Sequence, residues 1–211
     1  MKIDRETMQS FNRLWIMLTI VGYFLLLFFS PSLVLAIAEL WSFLSFSHSL
    51  GHIIVNMAIA TFIGGVIGSL QLVALRIAIK IGITWALANI TGFFVSAGLL
   101  EIVFYAFKIP ENLPYPDSAL PWVIAFTAAG GLSGILQQRI LRHRVHSSGW
   151  WVLASAAGWG SGTGCLVMSY DFFFKEQKAA GLALLLVSPV VFGVITAATL
   201  IWLMRRPIEQ T

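Results

Sequence analysis

Charged residues and cysteines are scarce in this chain. Only 10% of its 211 residues are Asp, Glu, Lys or Arg, whereas 58% are hydrophobic. A soluble domain carries about 25% charged residues, so these are too few to cover a surface that faces water on every side. The composition therefore predicts an integral membrane protein, and the length predicts a single domain over residues 1–211. The one cysteine, Cys165, excludes an intramolecular disulfide and a multi-cysteine zinc site.

The chain also lacks a continuous basic segment of the kind that binds nucleic acid. Its formal net charge is +4, but the lysines and arginines stand between apolar runs and form no basic face. Such a distribution indicates membrane topology signals. We therefore expect no nucleic-acid partner.

Long apolar runs, by contrast, are abundant. Six of them are long enough to cross a hydrocarbon core of about 30 Å. They occupy about 13–35, 50–75, 83–107, 119–142, 150–174 and 180–204. The sequence therefore predicts an all-α protein with six transmembrane helices.

The lysines and arginines between these runs indicate the orientation of the chain. Ten of the 13 fall on the side that holds both termini, and three fall on the other side, namely Lys108, Lys175 and Lys178. Because loops rich in these residues stay in the cytoplasm, we expect both termini inside. An even number of spans likewise places both termini on the same side.

The beginning of the chain has a second interpretation. Basic residues, an apolar run and the tripeptide Ala36-Ile37-Ala38 also fit a cleavable signal peptide. The charged region contains Asp4 and Glu6, however, and the apolar run is long. We therefore expect the first span to be retained.

One phrase occurs twice in the chain. Residues 64–76 read GGVIGSLQLVALR and residues 130–142 read GGLSGILQQRILR, so seven of thirteen letters recur after 66 positions. The same shift aligns WALANITG at 85–92 with WVLASAAG at 151–158. The chain therefore contains two helix sequence patterns, and each occurs at least twice.

Weaker copies of both phrases stand near the ends of the chain, as WIMLTIVG at 15–22 and GVITAATLIWLMRR at 193–206. The two kinds of helix thus alternate three times. This predicts three two-helix units, at about 13–76, 83–142 and 150–206. Because all three hairpins point the same way, we expect a parallel repeat, a pseudo-threefold bundle about the membrane normal, unlike an inverted-repeat transporter.

The recurring glycines have a simple role in helix packing. Two glycines four residues apart share a helix face, where the missing side chains let a neighbouring backbone approach closely. We expect this of Gly64, Gly68, Gly130, Gly134, Gly92 and Gly158.

Polar residues and tryptophans follow these glycines. We expect a polar ring of Gln71, Gln137 and Thr199, in which each side chain bonds to a neighbouring helix. The helices that run toward the cytoplasm then end at Arg76, Arg142 and Arg205, at the level of the lipid headgroups. We expect Trp85 and Trp151 in the aromatic belt at the same boundary.

The pattern G-x3-G-x2-Q-x3-LR, followed by W-x6-G, resembles a repeat in uncharacterised bacterial multi-pass membrane proteins, many of them cyanobacterial. The resemblance covers roughly residues 58–167. Leu72 and Gln138 stand where some members of that family have tryptophan. The resemblance implies a fold and no catalytic residue. It also implies a bacterial inner membrane or a thylakoid membrane, with a partner in a photosynthetic or respiratory complex.

Glu101 is the clearest acid within an apolar run. It lies sixteen residues beyond Trp85, which is about 24 Å along a helix. A carboxylate at the bilayer centre costs about 3 kcal/mol or more. One interpretation is therefore that the Glu101 carboxylate reaches the membrane interface and pairs there with Lys108 or a histidine. It can also form a proton or cation site with Asn56 and His52.

Two other segments are candidates for binding a ligand. His48 and His52 lie four residues apart, which suits one helix face, so axial ligation of a haem or a chlorophyll is an open alternative to a simple interfacial role. The stretch GWGSGTG at 158–164 is either a closely packed helix or an unwound segment that lines a cavity. We expect no metal site.

The function that these patterns favour is non-catalytic, because no nucleophile, base and orienting group fall together on one side of the membrane. The leading hypothesis is an accessory, assembly or scaffold protein that packs against other membrane-protein subunits or itself and contacts membrane lipids. A small transporter or channel along the repeat axis is one alternative. A pigment- or haem-binding subunit is the other.

Overall fold

The computed structural model describes the backbone of residues 5–44, 48–106 and 119–205. It describes side chains within 6–29, 53–101 and 120–205, except for those of Leu27, Leu100 and Phe174. These residues form six helices and no strand, which confirms the all-α prediction. The helices are α1 (Arg5–Leu44), α2 (His48–Ile79), α3 (Thr84–Ala106), α4 (Ala119–Leu141), α5 (Trp150–Phe174) and α6 (Lys178–Met204).

Three of the helices are long and apolar enough to cross a membrane by length and composition. They are α2 over Ile53–Ile79, α4 over Leu120–Leu141 and α6 over Lys178–Met204. Large apolar side chains remain exposed on the bundle, for example Ile77, Leu120 and Leu153, each with more than half of its surface accessible. Such a surface is compatible with a lipid bilayer.

The first two helices are longer than the apolar runs predicted. α1 has 40 residues and continues through Pro31, and α2 has 32. At 1.5 Å per residue, α1 is about 60 Å long, roughly twice the thickness of the hydrocarbon core. α3 to α6 have 23 to 27 residues, close to what one crossing requires.

The six helices form a closed ring in chain order. Each helix contacts the next one, and α1 contacts α6. Among the described residues, the Cα atoms of α1, α3 and α5 do not come within 8 Å of one another. The centre of the ring is therefore left for side chains.

Two apolar clusters fill that centre. The first contains residues such as Trp15, Leu75, Trp85, Trp151 and Leu200. It lies where α2, α4 and α6 end and where α1, α3 and α5 begin. The second cluster lies deeper along the helices and consists mainly of aromatic residues, among them Tyr23, Phe93, Trp159 and Phe192.

Candidate functional site

Three tryptophans meet at the centre of the ring. Trp15, Trp85 and Trp151, here called the tryptophan layer, are each at most 1% exposed. The ring centroids of Trp85 and Trp151 are 5.4 Å apart, and those of Trp15 and Trp151 are 6.2 Å apart. The belt position predicted for Trp85 and Trp151 is therefore wrong. These indoles lie inside the protein because the backbones of their three helices stay apart and leave space for large rings.

Each indole of the tryptophan layer donates a hydrogen bond to the preceding helix of the ring. Trp85 Nε1 donates to Gln71 Oε1 at 3.2 Å, and Trp151 Nε1 donates to Gln137 Oε1 at 2.7 Å. Both glutamines are buried. The third bond runs from Trp15 Nε1 to Thr196 Oγ1 at 2.9 Å, and it joins the first helix to the last.

The third member of the predicted polar ring is thus Thr196 and not Thr199. Thr199 Oγ1 donates to the carbonyl oxygen of Ile195 in its own helix. The reason is the length of the side chain. A Cβ atom tilts toward the start of its helix, so a glutamine amide reaches back about one turn, whereas a threonine hydroxyl stays close to its own Cα. The hydroxyl group that accepts from Trp15 Nε1 therefore belongs to Thr196, about one turn before Thr199.

These bonds also establish the direction of the helices. Gln71, Gln137 and Thr196 all lie in the second half of their helices, and all bond to the same layer. α2, α4 and α6 therefore end on one side of the bundle, and α3 and α5 carry the chain back. Exposed cations surround this end, here called the basic end. They are Arg13, Arg76, Lys80, Arg139, Arg142, Arg144 and Arg205.

The three arginines predicted to meet lipid headgroups, Arg76, Arg142 and Arg205, all lie at the basic end and are exposed. In the part of the chain that the structure describes, the one ion pair joins Lys175 to Asp171 at the opposite end, with a separation of 2.7 Å. Among these arginines, Arg142 Nε donates to His143 Nε2 at 3.3 Å.

The glycines of α2 and α4 lie against the next helix of the ring. A Cβ atom at Gly64 would lie 2.8 Å from the Asn89 carbonyl oxygen, and one at Gly68 would lie 2.8 Å from Asn89 Cβ. In α4, a Cβ atom at Gly130 would lie 2.6 Å from the carbonyl oxygen of Ser155. One at Gly134 would lie 3.0 Å from the Ser155 Cβ atom. Side chains at these positions would push the helices apart.

Gly92 of α3 and Gly158 of α5 each lie against the helix that follows their own. A Cβ atom at Gly92 would lie 2.6 Å from the Ser133 backbone, and one at Gly158 would lie 3.0 Å from the Phe192 ring. α5 is continuous over Trp150–Phe174. The unwound interpretation of residues 158–164 is therefore wrong.

A second layer of rings lies beyond the tryptophan layer. Tyr23, Phe93 and Trp159, here called the second aromatic layer, each follow a central tryptophan by eight residues. The ring centroids of Phe93 and Trp159 are 4.6 Å apart, and those of Tyr23 and Trp159 are 6.0 Å apart. Together with Phe192 from α6, this layer closes the centre of the ring a second time.

Small polar side chains occupy the level between the two layers. Thr19, Asn89 and Ser155 each follow a central tryptophan by four residues, and all are buried. Thr19 Oγ1 donates to the Trp15 carbonyl oxygen, and Asn89 Nδ2 donates to the Trp85 carbonyl oxygen. Both of these bonds stay within one helix.

Glu101 and Asn56 form a direct contact toward the opposite end. Asn56 Nδ2 donates to Glu101 Oε1 between α2 and α3, and both side chains are partly buried. The structure thus brings together two of the three residues of the predicted proton or cation site. The side chains of His48 and His52 lie outside the described residues, and so does Lys108, the alternative partner. Within the described part of the chain, no three His, Cys, Asp or Glu residues come together as metal ligands.

Other tryptophans occupy the exposed positions that suit a belt. Trp150 is 57% exposed and packs edge-on against Trp202 of α6, with 6.4 Å between the ring centroids. Both lie at the basic end. Trp122, near the start of α4, is exposed toward the opposite end.

Sequence reasoning missed the two aromatic layers, although a signal for them exists. An aromatic residue follows Trp15, Trp85 and Trp151 after eight positions in each case. Eight residues are close to two helical turns, so the pairs share a face. The small polar residue halfway between each tryptophan and the aromatic residue after it distinguishes this face from a lipid-facing one.

Comparison of the chain with protein-family models, with curated proteins and with solved structures gave no match.

Proposed function

We propose that all six helices cross a membrane, as three two-helix units around a pseudo-threefold axis with both termini in the cytoplasm. The common end of α2, α4 and α6 supports this, because a chain that enters the same face three times has to return in between. The three indole bonds support the repeat, since each joins an odd-numbered helix to the helix before it in the ring. The cations of the basic end support the orientation.

We further propose that the protein is non-catalytic and acts as an accessory, assembly or scaffold protein in a membrane complex. The observation that carries this proposal is the filled axis. The tryptophan layer and the second aromatic layer occupy the centre of the ring at two levels, and the rings contact one another. A close-packed centre favours a rigid body over a path for solutes.

The partners of such a body would meet its outer surface. Exposed apolar side chains surround the bundle, and they suit lipid tails, helices of other subunits or a second copy of this chain. The exposed arginines of the basic end suit anionic headgroups. The resemblance to cyanobacterial membrane proteins favours a bacterial inner membrane or a thylakoid membrane as the location.

Native mass spectrometry of the tagged protein, extracted gently from its own membranes, tests the accessory role. We expect the 23.2 kDa chain together with the stoichiometric mass of another subunit or of a second copy. Membranes that lack the tagged protein, carried through the same purification, are the control. A monomer that carries only lipid would contradict the proposal.

The contact between Glu101 and Asn56 favours a second candidate, a small transporter whose site lies between α2 and α3 and not on the axis. Under this alternative, Glu101→Gln abolishes proton or cation flux into liposomes while the protein stays folded. Glu176→Gln is the matched control, because Glu176 is an exposed acid outside the helices. Equal flux in wild type, both variants and empty liposomes would eliminate the transporter.

A further inference from the structure

A cavity of about 420 Å³ lies between the beginning of α1 and the end of α2. It is lined by Glu6, Thr7, Ser10, Phe11, Leu14 and Ile77. The five residues of α1 lie on one side of that helix, and Ile77 of α2 lies across from them. The cavity is therefore at the basic end. Its volume falls within the range of about 300–1,000 Å³ that is typical of ligand sites.

The lining of this cavity changes from polar to apolar along α1. Glu6 and Ser10 precede Trp15 of the tryptophan layer by nine and five residues, which is about 14 and 8 Å along the helix. Phe11 and Leu14 are closer to that layer, and Phe11 belongs to the first apolar cluster. The polar part of the cavity thus faces away from the bundle centre. A phospholipid at the membrane boundary has the same order, with its headgroup outside its acyl chains.

Charges of both signs accompany the cavity. Glu6 is an exposed acid of the lining. Arg13 is exposed as well, and it follows Glu6 by seven residues and Ser10 by three. These spacings place the three side chains on one helix face. Among the cations whose side chains the structure describes, none forms an ion pair with Glu6. An acid and a cation on one face suit a zwitterionic ligand.

We propose that this cavity binds one zwitterionic phospholipid that carries a primary ammonium group, such as phosphatidylethanolamine. The ammonium group donates to the Glu6 carboxylate, and the phosphate group accepts from Ser10 Oγ and the Arg13 guanidinium group. The acyl chains pass Leu14 and the exposed Ile77 into the surrounding lipid. This ligand differs from the anionic headgroups proposed for the other arginines, because an acid in the lining repels an anionic headgroup.

The inference rests on the proposed membrane crossing and does not depend on the accessory role. Cysteine labelling from the two sides of the membrane tests that crossing by itself. Lipid titration of the purified protein tests the cavity by itself. The failure of one can therefore be told from the failure of the other.

Native mass spectrometry of the purified, delipidated full chain tests the site with four lipids that have the same acyl chains. They are phosphatidylethanolamine, phosphatidylcholine, phosphatidylglycerol and monogalactosyldiacylglycerol. We expect one molecule of phosphatidylethanolamine to bind about fivefold more tightly than the others. Phosphatidylcholine has the positive charge but no N–H donor, and the last two have no positive charge. Equal binding of all four lipids, or tighter binding of any of the other three, would overturn the proposal.

Glu6→Gln removes the charge of the acid and nearly preserves its shape. We expect this variant to bind phosphatidylethanolamine about fivefold more weakly and to bind phosphatidylglycerol no less tightly than the wild type does. Glu176→Gln is the matched control, because Glu176 is an exposed acid at the opposite end. A purely structural role of Glu6 would weaken the binding of every lipid equally, and that result, or an equal loss in the control, would overturn the assignment of Glu6.

Ser10→Phe tests the location independently of charge, because it places a ring in the cavity. We expect it to abolish the preference for phosphatidylethanolamine. Gln9→Phe is the control, since Gln9 is the neighbouring exposed residue and does not line the cavity. Both positions are exposed, so both variants should unfold near the wild-type midpoint. A preference that survives Ser10→Phe, or one that Gln9→Phe also abolishes, would overturn the proposed location.

Discussion

At the scale of single residues, two indole–amide pairs join neighbouring helices at buried positions. Trp151 fills a fully buried position and donates to Gln137 Oε1, and the Nε2 atom of Gln137 has no partner among the described residues. The ring contributes apolar volume and the N–H group satisfies the amide oxygen. A phenylalanine could supply most of the volume but none of the hydrogen bond.

We therefore predict that Trp151→Phe lowers the free energy of unfolding by about 2–4 kcal/mol, because it leaves a cavity and a buried amide with neither end bonded. Chemical denaturation in mild detergent measures the loss. Adding Gln137→Leu should restore part of it, since the unpaired amide disappears. Trp150→Phe is the control, because Trp150 is 57% exposed, and a loss equal to that of Trp151→Phe would contradict the assigned roles.

The residue type alone does not indicate that these tryptophans are buried, for a physical reason. An indole is large, apolar and equipped with one donor, so it suits a headgroup boundary as well as a buried amide. Trp150 and Trp151 are neighbours in the chain and have opposite environments. Only the arrangement of the helices decides which indole turns inward.

At the scale of helices, the interfaces depend on close backbone approach at particular glycines. A Cβ atom at Gly92 would lie 2.6 Å from the Ser133 backbone, whereas no atom of the described residues lies within 4 Å of one at Gly164. Both glycines belong to helix interiors. They provide a matched pair, because the same substitution meets backbone atoms in one helix and open space in the other.

We predict opposite signs for the two alanine variants. Gly92→Ala should lower the free energy of unfolding by about 1–3 kcal/mol through overpacking. Gly164→Ala should raise it by up to about 1 kcal/mol, because alanine favours the helix. Unfolding of the purified variants under one set of detergent conditions measures both changes, and equal effects would show that the α3–α4 interface is looser than its geometry indicates.

The contact of α6 with α1 closes the ring, and it makes a further prediction about two threonines. Thr196→Val keeps the shape of the side chain but leaves Trp15 Nε1 without an acceptor, so we expect a loss of about 1–3 kcal/mol. Thr199→Val removes a bond to the Ile195 carbonyl oxygen within the helix, and we expect little change. The reverse order of the two losses would restore Thr199 to the polar ring.

The sequence predicted the number of helices correctly, but it did not predict every contact between them. Six apolar runs predicted six helices, and the described residues form six helices. Gln71 bonds to Trp85 and Gln137 bonds to Trp151, and the two residues of each pair are fourteen positions apart. This common spacing is visible in the sequence. The alignment failed in α6, since it compares letters and takes no account of how far a side chain reaches.

At the scale of the whole molecule, direction and orientation are the properties that membrane labelling can check. The connection between α4 and α5 contains the exposed residue Ser147, at the basic end. The connection between α5 and α6 contains the exposed residue Gln177, at the opposite end. If α5 crosses the membrane and the basic end is cytoplasmic, these two positions face different compartments.

Single cysteines at these positions make the test direct, because Cys165 is the only cysteine and Cys165→Ser removes it. In that background we expect a membrane-impermeant maleimide to label Gln177→Cys in intact spheroplasts. It should label Ser147→Cys only after the membrane has been permeabilised. Labelling of both positions in intact spheroplasts would mean that α5 does not cross. The reverse pattern would keep the crossing and invert the bundle, with the arginines outside, and the lipid contacts proposed for them would then belong to the other leaflet.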